Sequence, residues 1–205
     1  MIKAILFDAG GVLLDLDLAD CKAAFKGILG YDKIDELLDP CHQKGIYGDM
    51  EEGKISADEF VSAVLAESRP GSTPEMVDRC MAALLKGIQP YKADYLKSLA
   101  ARGYDLYMLT NNNEISWAHF QRIFNDAGIP IEKTFRQHFL SCRLGMLKPA
   151  PELFRQVIGS IGLPPEEILF VDDSEKNAAA GKAAGMMSLH YVPDTDLAEL
   201  IDSAL

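Results

Sequence analysis

The chain has little of what would place it on a membrane, on a nucleic acid or outside the cell. No apolar run approaches the roughly 20 residues that a bilayer span requires. Basic residues are outnumbered, with 20 Lys and Arg against 31 Asp and Glu, and the net charge is −11. That balance argues against nucleic-acid backbones and anionic membrane surfaces, which need clustered positive charge. Four cysteines, Cys21, Cys41, Cys80 and Cys142, show no CxxC or other ligand spacing. Reduced thiols in a cytoplasmic protein are the expectation, rather than disulfides or a zinc site. Internal repeats and low-complexity segments are absent. The opening "MIKAILFDAGGVLL" places Asp8 inside its apolar stretch, which argues against a signal peptide. His138 and His190 have no partners at metal or catalytic-base spacing and read as structural.

What remains is ordinary globular material. The 205 residues are 48% hydrophobic, enough to bury a core in one large domain or two small ones. Short apolar runs at 3–10, 104–113, 138–142, 167–174 and 186–192 read as buried strands. Helical patterns lie between them at 91–103, 115–128, 151–162 and 176–185, several closing on Gly. Strands alternating with helices predict an α/β fold with a Rossmann-like parallel sheet. The stretch 16–89 breaks the rhythm. It shows no convincing strand, and its patterns are helical, with Ser56 and Glu59 at capping-box spacing. The expected organisation is a core of 1–15 and 90–205 with an inserted all-helical cap over 16–89.

Three of the predicted strands end in polar groups. The first ends in Asp8, the second in Thr110 and Asn111, and the fourth in Asp172 and Asp173; Lys148 precedes a helix in "LKPAPELF". In an open parallel sheet, ligands bind beyond the carboxyl ends of the strands. A carboxylate there can serve as a nucleophile. Further carboxylates repel it unless a cation intervenes, and Mg²⁺ suits oxygen ligands with phosphate. Thr110, Asn111 and Lys148 have the groups to bind phosphate oxygens. Singly, each residue reads as a cap, a loop or a solvated side chain; together they are the parts for phosphoryl transfer to an aspartate.

The four motifs "ILFDAGGVL", "YMLTNN", "LKPAPELF" and "LFVDDSEKN", in that order and with a helical insert after the first strand, resemble the haloacid dehalogenase-like (HAD) hydrolase superfamily, subfamily IA-like. The resemblance covers nearly the whole chain. It implies Asp8 as the nucleophile that forms a phosphoaspartyl intermediate, and Thr110 and Asn111 as phosphoryl-binding groups. It implies Lys148 as the residue that steadies Asp8 and the phosphate. Mg²⁺ would be held by Asp8, the backbone carbonyl of Gly10, Asp173, and Asp172 directly or through water, with Asn177 orienting the loop.

Gly10 departs from the pattern. Most phosphatases of the superfamily carry an Asp there, which protonates the leaving group and then activates water. General acid–base catalysis is typically worth about 10²–10⁴-fold, so its loss need not abolish activity. Three readings follow. One is a Mg²⁺-dependent phosphatase acting on a small phosphorylated metabolite such as a sugar phosphate, with the acid supplied elsewhere or not needed. Another is a non-catalytic module that binds a phospho-ligand or a protein. The third is a haloacid dehalogenase, against which the "VDDS" acid pair argues. Asp15 and Asp17 are stand-in acids by position, though a polar hinge is the plainer reading. His42, Lys44, Tyr47 and Lys54 are polar cap groups that could reach a substrate, though a solvated helix or loop position is the plainer reading of each. Trp117 and His119 follow the second strand and could line the cleft, with helix packing the plainer reading of Trp117. A small-molecule phosphate ester is the expected partner, with the chain a monomer or dimer.

Overall fold

The computed structural model describes residues 1–39 and 43–205. Cys41 and His42 lie outside the described residues. Strand β1 (Ala4–Phe7) is buried along its whole length and opens the main sheet. A tight turn leads to β2 (Leu14–Leu16). The chain then enters five helices: α1 (Leu18–Ala24, continued by a π-helical turn over Phe25–Leu29), α2 (Ile34–Leu37), α3 (Gly45–Glu51), α4 (Ala57–Ala66) and α5 (Pro74–Ala82). The capping box at Ser56 and Glu59 forms as the spacing predicts. These helices bury a cluster of their own that includes Phe25, Tyr47, Phe60, Val64 and Met81.

The chain returns through β3 (Leu85–Ile88), which pairs antiparallel with β2. Here the helical reading of 16–89 needs correction. "MAALLKG" is apolar enough to continue α5, but the helix stops at Ala82 and the remainder pairs with a strand some seventy residues earlier. Local periodicity carries no trace of so distant a partner. The pattern "KIDELLDPCHQKGIYG" likewise holds two separate helices, α2 and α3, rather than one.

The rest alternates regularly: α6 (Pro90–Ala101), β4 (Asp105–Thr110), α7 (Glu114–Asp126), α8 (Ile131–Thr134), β5 (Gln137–Leu140), α9 (Ser141–Leu144), α10 (Pro151–Ile161), β6 (Ile168–Asp172), α11 (Glu175–Ala183), β7 (Met187–His190) and α12 (Leu197–Asp202). The five-stranded sheet is parallel throughout, in the order β5-β4-β1-β6-β7. The predicted Rossmann-like α/β fold is therefore present. Side chains of β1 alternate between two cores, Ile5 and Phe7 on one face and Ala4 and Leu6 on the other. On the second face α11 lies so close that a Cβ at Gly181 would sit 2.5 Å from Phe170 Cδ1, which explains the small-residue run "AAAGKAAG". Among the described residues, no helix is long and apolar enough to cross a membrane.

Candidate active site

Register brings the polar strand ends together. Phe7 is paired with Met108 on one side and Val171 on the other, so Asp8, Thr110 and Asp172 emerge at one edge of the sheet. The amide of Asp8 donates to the Val171 carbonyl at 2.8 Å, which extends the β1–β6 ladder up to the carboxylate.

Lys148 reaches this edge from the loop before α10. Its Nζ lies 2.9 Å from Asp8 Oδ1 and 2.6 Å from Asp172 Oδ2, and all three side chains are buried. Asn111 holds that loop: Lys148 N donates to Asn111 Oδ1 at 2.8 Å, and Asn111 Nδ2 donates to the Lys148 carbonyl at 3.2 Å. Asp172 Oδ1 accepts from Ser174 N at 2.9 Å and from Asn177 Nδ2 at 3.0 Å. Asn177 thus orients the loop after β6, while Asp172 sits behind the site, tied to Lys148 and that loop.

Asp8, Asp172 and Asp173 each offer a carboxylate oxygen within 4.8 Å of the others. One ammonium, Lys148, faces this trio. Burial works against the Lys148 charge, but Asp172 and Asp8 outweigh it and hold the lysine above its ordinary range. Burial pushes Asp8 upward, Lys148 opposes, and Asp172 and Asp173 push it further. Asp173 is raised by burial and by Asp172. Excess buried negative charge of this kind is relieved by a divalent cation. An all-oxygen donor set with the Gly10 carbonyl beside it suits Mg²⁺, and magnesium is the cofactor this site fits.

The two glycines after Asp8 have different reasons. Gly11 has φ +79°, and a Cβ on it would fall 2.1 Å from Asp173 Oδ2, so only glycine fits. Gly10 has no such constraint. Its backbone lies outside the left-handed region, and a Cβ there would meet only Leu16 Cδ1 at 3.0 Å. The acid is absent from position 10 without the fold requiring it, and the Leu16 side chain occupies the adjoining space.

A cavity of ≈ 870 Å³ opens over this edge, lined by Asp8, Gly10, Thr110, Asn111, Lys148 and Asp173 together with Tyr47 and Glu51 from α3. The structure thus gathers every residue that the motifs singled out, with Asp172 just beneath the cavity floor. Other candidates lie elsewhere. Asp15 faces Gln89 Nε2 at 2.9 Å and Lys92 Nζ at 3.4 Å, and Asp17 caps α1 through Asp20 N at 2.9 Å. Lys44 and Lys54 pair with carboxylates on the surface. Trp117 stacks on His138 at 4.8 Å, and His119 pairs with Asp78 at 2.8 Å. His190 differs from its structural reading: it lines the cavity, and its Nε2 donates to the Asp173 carbonyl at 3.0 Å. Sequence reasoning missed Glu51 and also Ser141, whose hydroxyl ties α3 to the end of β4.

This geometry agrees with comparison to known proteins. The family model described as haloacid dehalogenase-like hydrolase matches residues 2–185. The chain belongs to the haloacid dehalogenase-like hydrolases. Among relatives of this family, D-ribitol-5-phosphate phosphatase from Bacteroides thetaiotaomicron is 37% identical over 187 residues, covering 90% of this chain and 89% of the relative. A crystal structure of a HAD family enzyme from the same organism, in complex with magnesium and inorganic phosphate, superposes with TM-score 0.89 at 31% identity, covering 98% of this chain and 99% of that one. A structure described as a predicted HAD-like family hydrolase from Porphyromonas gingivalis gives TM-score 0.89 at 31% identity, covering 100% of this chain and 98% of that one.

Proposed function

We propose that this protein is a Mg²⁺-dependent phosphatase that hydrolyses a small phosphorylated sugar or sugar alcohol through a phosphoaspartyl intermediate on Asp8. The observation that carries the reading is the buried Asp8–Lys148–Asp172 chain with Asp173 beside it, at the floor of a cavity of ≈ 870 Å³. That size suits a metabolite rather than a protein surface. Similarity to a ribitol phosphate phosphatase favours a polyol chain as the esterified group.

In this reading Asp8, the Gly10 carbonyl and Asp173 would hold the metal, and Asp172 would support them from behind through Lys148 and the loop after β6. When bound, Mg²⁺ would supply positive charge to the phosphoryl oxygens and to the Asp8 carboxylate. Lys148 pulls Asp8 toward its ionised form and offers its ammonium to the transferring group. The Thr110 hydroxyl and Asn111 bind phosphoryl oxygens. Asp8 attacks phosphorus as the ester oxygen leaves, and water then cleaves the acyl phosphate. Residues 16–89 serve as the cap that closes this site from water and meets the polyol. The acidic surface and unpaired cysteines Cys21, Cys80 and Cys142 fit a cytoplasmic enzyme.

Phosphate release from ribitol 5-phosphate, hexose phosphates, nucleotides and p-nitrophenyl phosphate tests this, with Mg²⁺ and with EDTA. Release should need the metal and should fall by at least on the order of 10³-fold in Asp8→Asn. Thermal protection by these esters with no release from any of them would instead establish a phosphate-binding module.

A further inference from the structure

An alkyl phosphate expels an alkoxide unless a proton reaches its oxygen, and Gly10 has no side chain to deliver one. Asp15 and Asp17 are committed elsewhere, to Gln89 and Lys92 and to the cap of α1. Neither lines the cavity.

One carboxyl does. Glu51, the last residue of α3, is 9% exposed and shares the cavity wall with Asp8, Gly10 and Lys148. Among the described residues its side chain makes no hydrogen bond, and the Lys148 ammonium is taken by Asp8 and Asp172. Its backbone, by contrast, is fixed. The Ser141 hydroxyl donates to the Glu51 carbonyl at 2.6 Å and accepts from the Asn112 amide at 2.8 Å, joining α3 to the end of β4. Two residues on, Gly53 packs so tightly that a Cβ would lie 2.2 Å from the Cys142 carbonyl oxygen. A buried carboxyl with no hydrogen bond among the described residues, on a clamped backbone and in the same cavity wall as the nucleophile, has the placement of a working acid.

We propose that Glu51 is the general acid–base of this enzyme, doing from the helical insert what the residue at Gly10 cannot. The inference rests on the phosphatase reading above. As Asp8 bonds to phosphorus and the ester P–O bond breaks, the leaving oxygen takes the Glu51 proton and departs as the alcohol. The resulting carboxylate takes a proton from water as that water's oxygen bonds to phosphorus. The Asp8–phosphorus bond breaks, returning the Asp8 carboxylate, inorganic phosphate and protonated Glu51. Burial pushes the Glu51 carboxyl up to about 8 against the pull of Lys148, so at neutral pH it holds the proton that the first step uses.

The test is Glu51→Gln, assayed on the best alkyl phosphate and on p-nitrophenyl phosphate. On the alkyl ester kcat should fall by about 10²–10⁴-fold. The p-nitrophenolate anion leaves without a proton. The variant should therefore give a burst of one p-nitrophenolate per site, then slow turnover while phosphoenzyme accumulates. Gly10→Asp placed in the Glu51→Gln background should recover alkyl-ester kcat. Unchanged kcat, a loss confined to KM, or equal losses on both esters with no burst would each overturn the assignment while leaving the phosphatase reading intact. A wild-type protein that releases no phosphate would overturn both. If Glu51→Gln does not fold, Glu51→Asp replaces it, with kcat again expected to fall more on the alkyl ester than on p-nitrophenyl phosphate; equal kcat changes on the two esters would overturn the assignment.

Discussion

Glu51 sets stability against use. A carboxyl raised from 4.5 to about 8 by burial keeps in the folded protein a proton that the unfolded chain gives up. Below about pH 4.5 both states are protonated and folding costs nothing extra. Between there and about pH 8 only the unfolded state ionises, so stability falls as pH rises. Each pH unit crossed in that window costs about 1.4 kcal/mol, which puts the accumulated loss by pH 8 on the order of a few kcal/mol. Glu51→Gln removes the titration. In Mg²⁺-free buffer the midpoint of the variant should gain steadily on that of wild type from pH 5 to pH 8. Parallel midpoints across that range would mean that the carboxyl ionises freely in the folded state. The same residue shows where reading a sequence stops. Asp8, Thr110 and Asp172 stand out because each ends an apolar run. Glu51 sits in "DMEEGK", where any acid looks solvated, and only the packing of α3 on α9 at Ser141, in the cavity wall, buries it. Gly10 and Gly11 look alike in the sequence, and only the position of Asp173 shows that the second alone is required.

Between elements, the decisive contact is a single hydroxyl. Ser141 is fully buried and joins the last carbonyl of α3 to the Asn112 amide, two residues beyond β4. Ser141→Ala leaves both groups buried and unpaired, a cost of about 1–3 kcal/mol. It also frees the segment that carries Glu51. Denaturant midpoints should fall accordingly, and kcat on an alkyl phosphate should fall with them. A variant as stable and as active as wild type would show that the insert is held by its apolar contacts alone. The parallel strands were legible as elements because continuous burial needs continuous apolar runs, and their ends were legible as a site because a parallel sheet aligns them. The β2–β3 pair was not, since β3 is short, contains Lys86 and Gly87, and finds its partner across the whole helical insert.

At the scale of the molecule, an acidic chain gathers three of its carboxylates beside one buried lysine at the carboxyl edge of its sheet. The folded protein without metal bears that repulsion, and the unfolded chain does not. Binding of Mg²⁺ should therefore register as stability, independent of any turnover. At a hundredfold excess over its dissociation constant the gain is about 2.7 kcal/mol for one site. Asp173→Asn separates this site from general screening of the −11 net charge. Burial and Asp172 both raise the Asp173 carboxyl, so the amide should make the metal-free protein more stable than wild type and remove most of its response to Mg²⁺. Wild type should show a rise in melting temperature that saturates with Mg²⁺ and reverses with EDTA, and matched ionic strength of NaCl should not reproduce it. An equal, non-saturating rise in both proteins would mean that magnesium acts on the acidic surface, and that the carboxylates below the cavity hold no ion of their own.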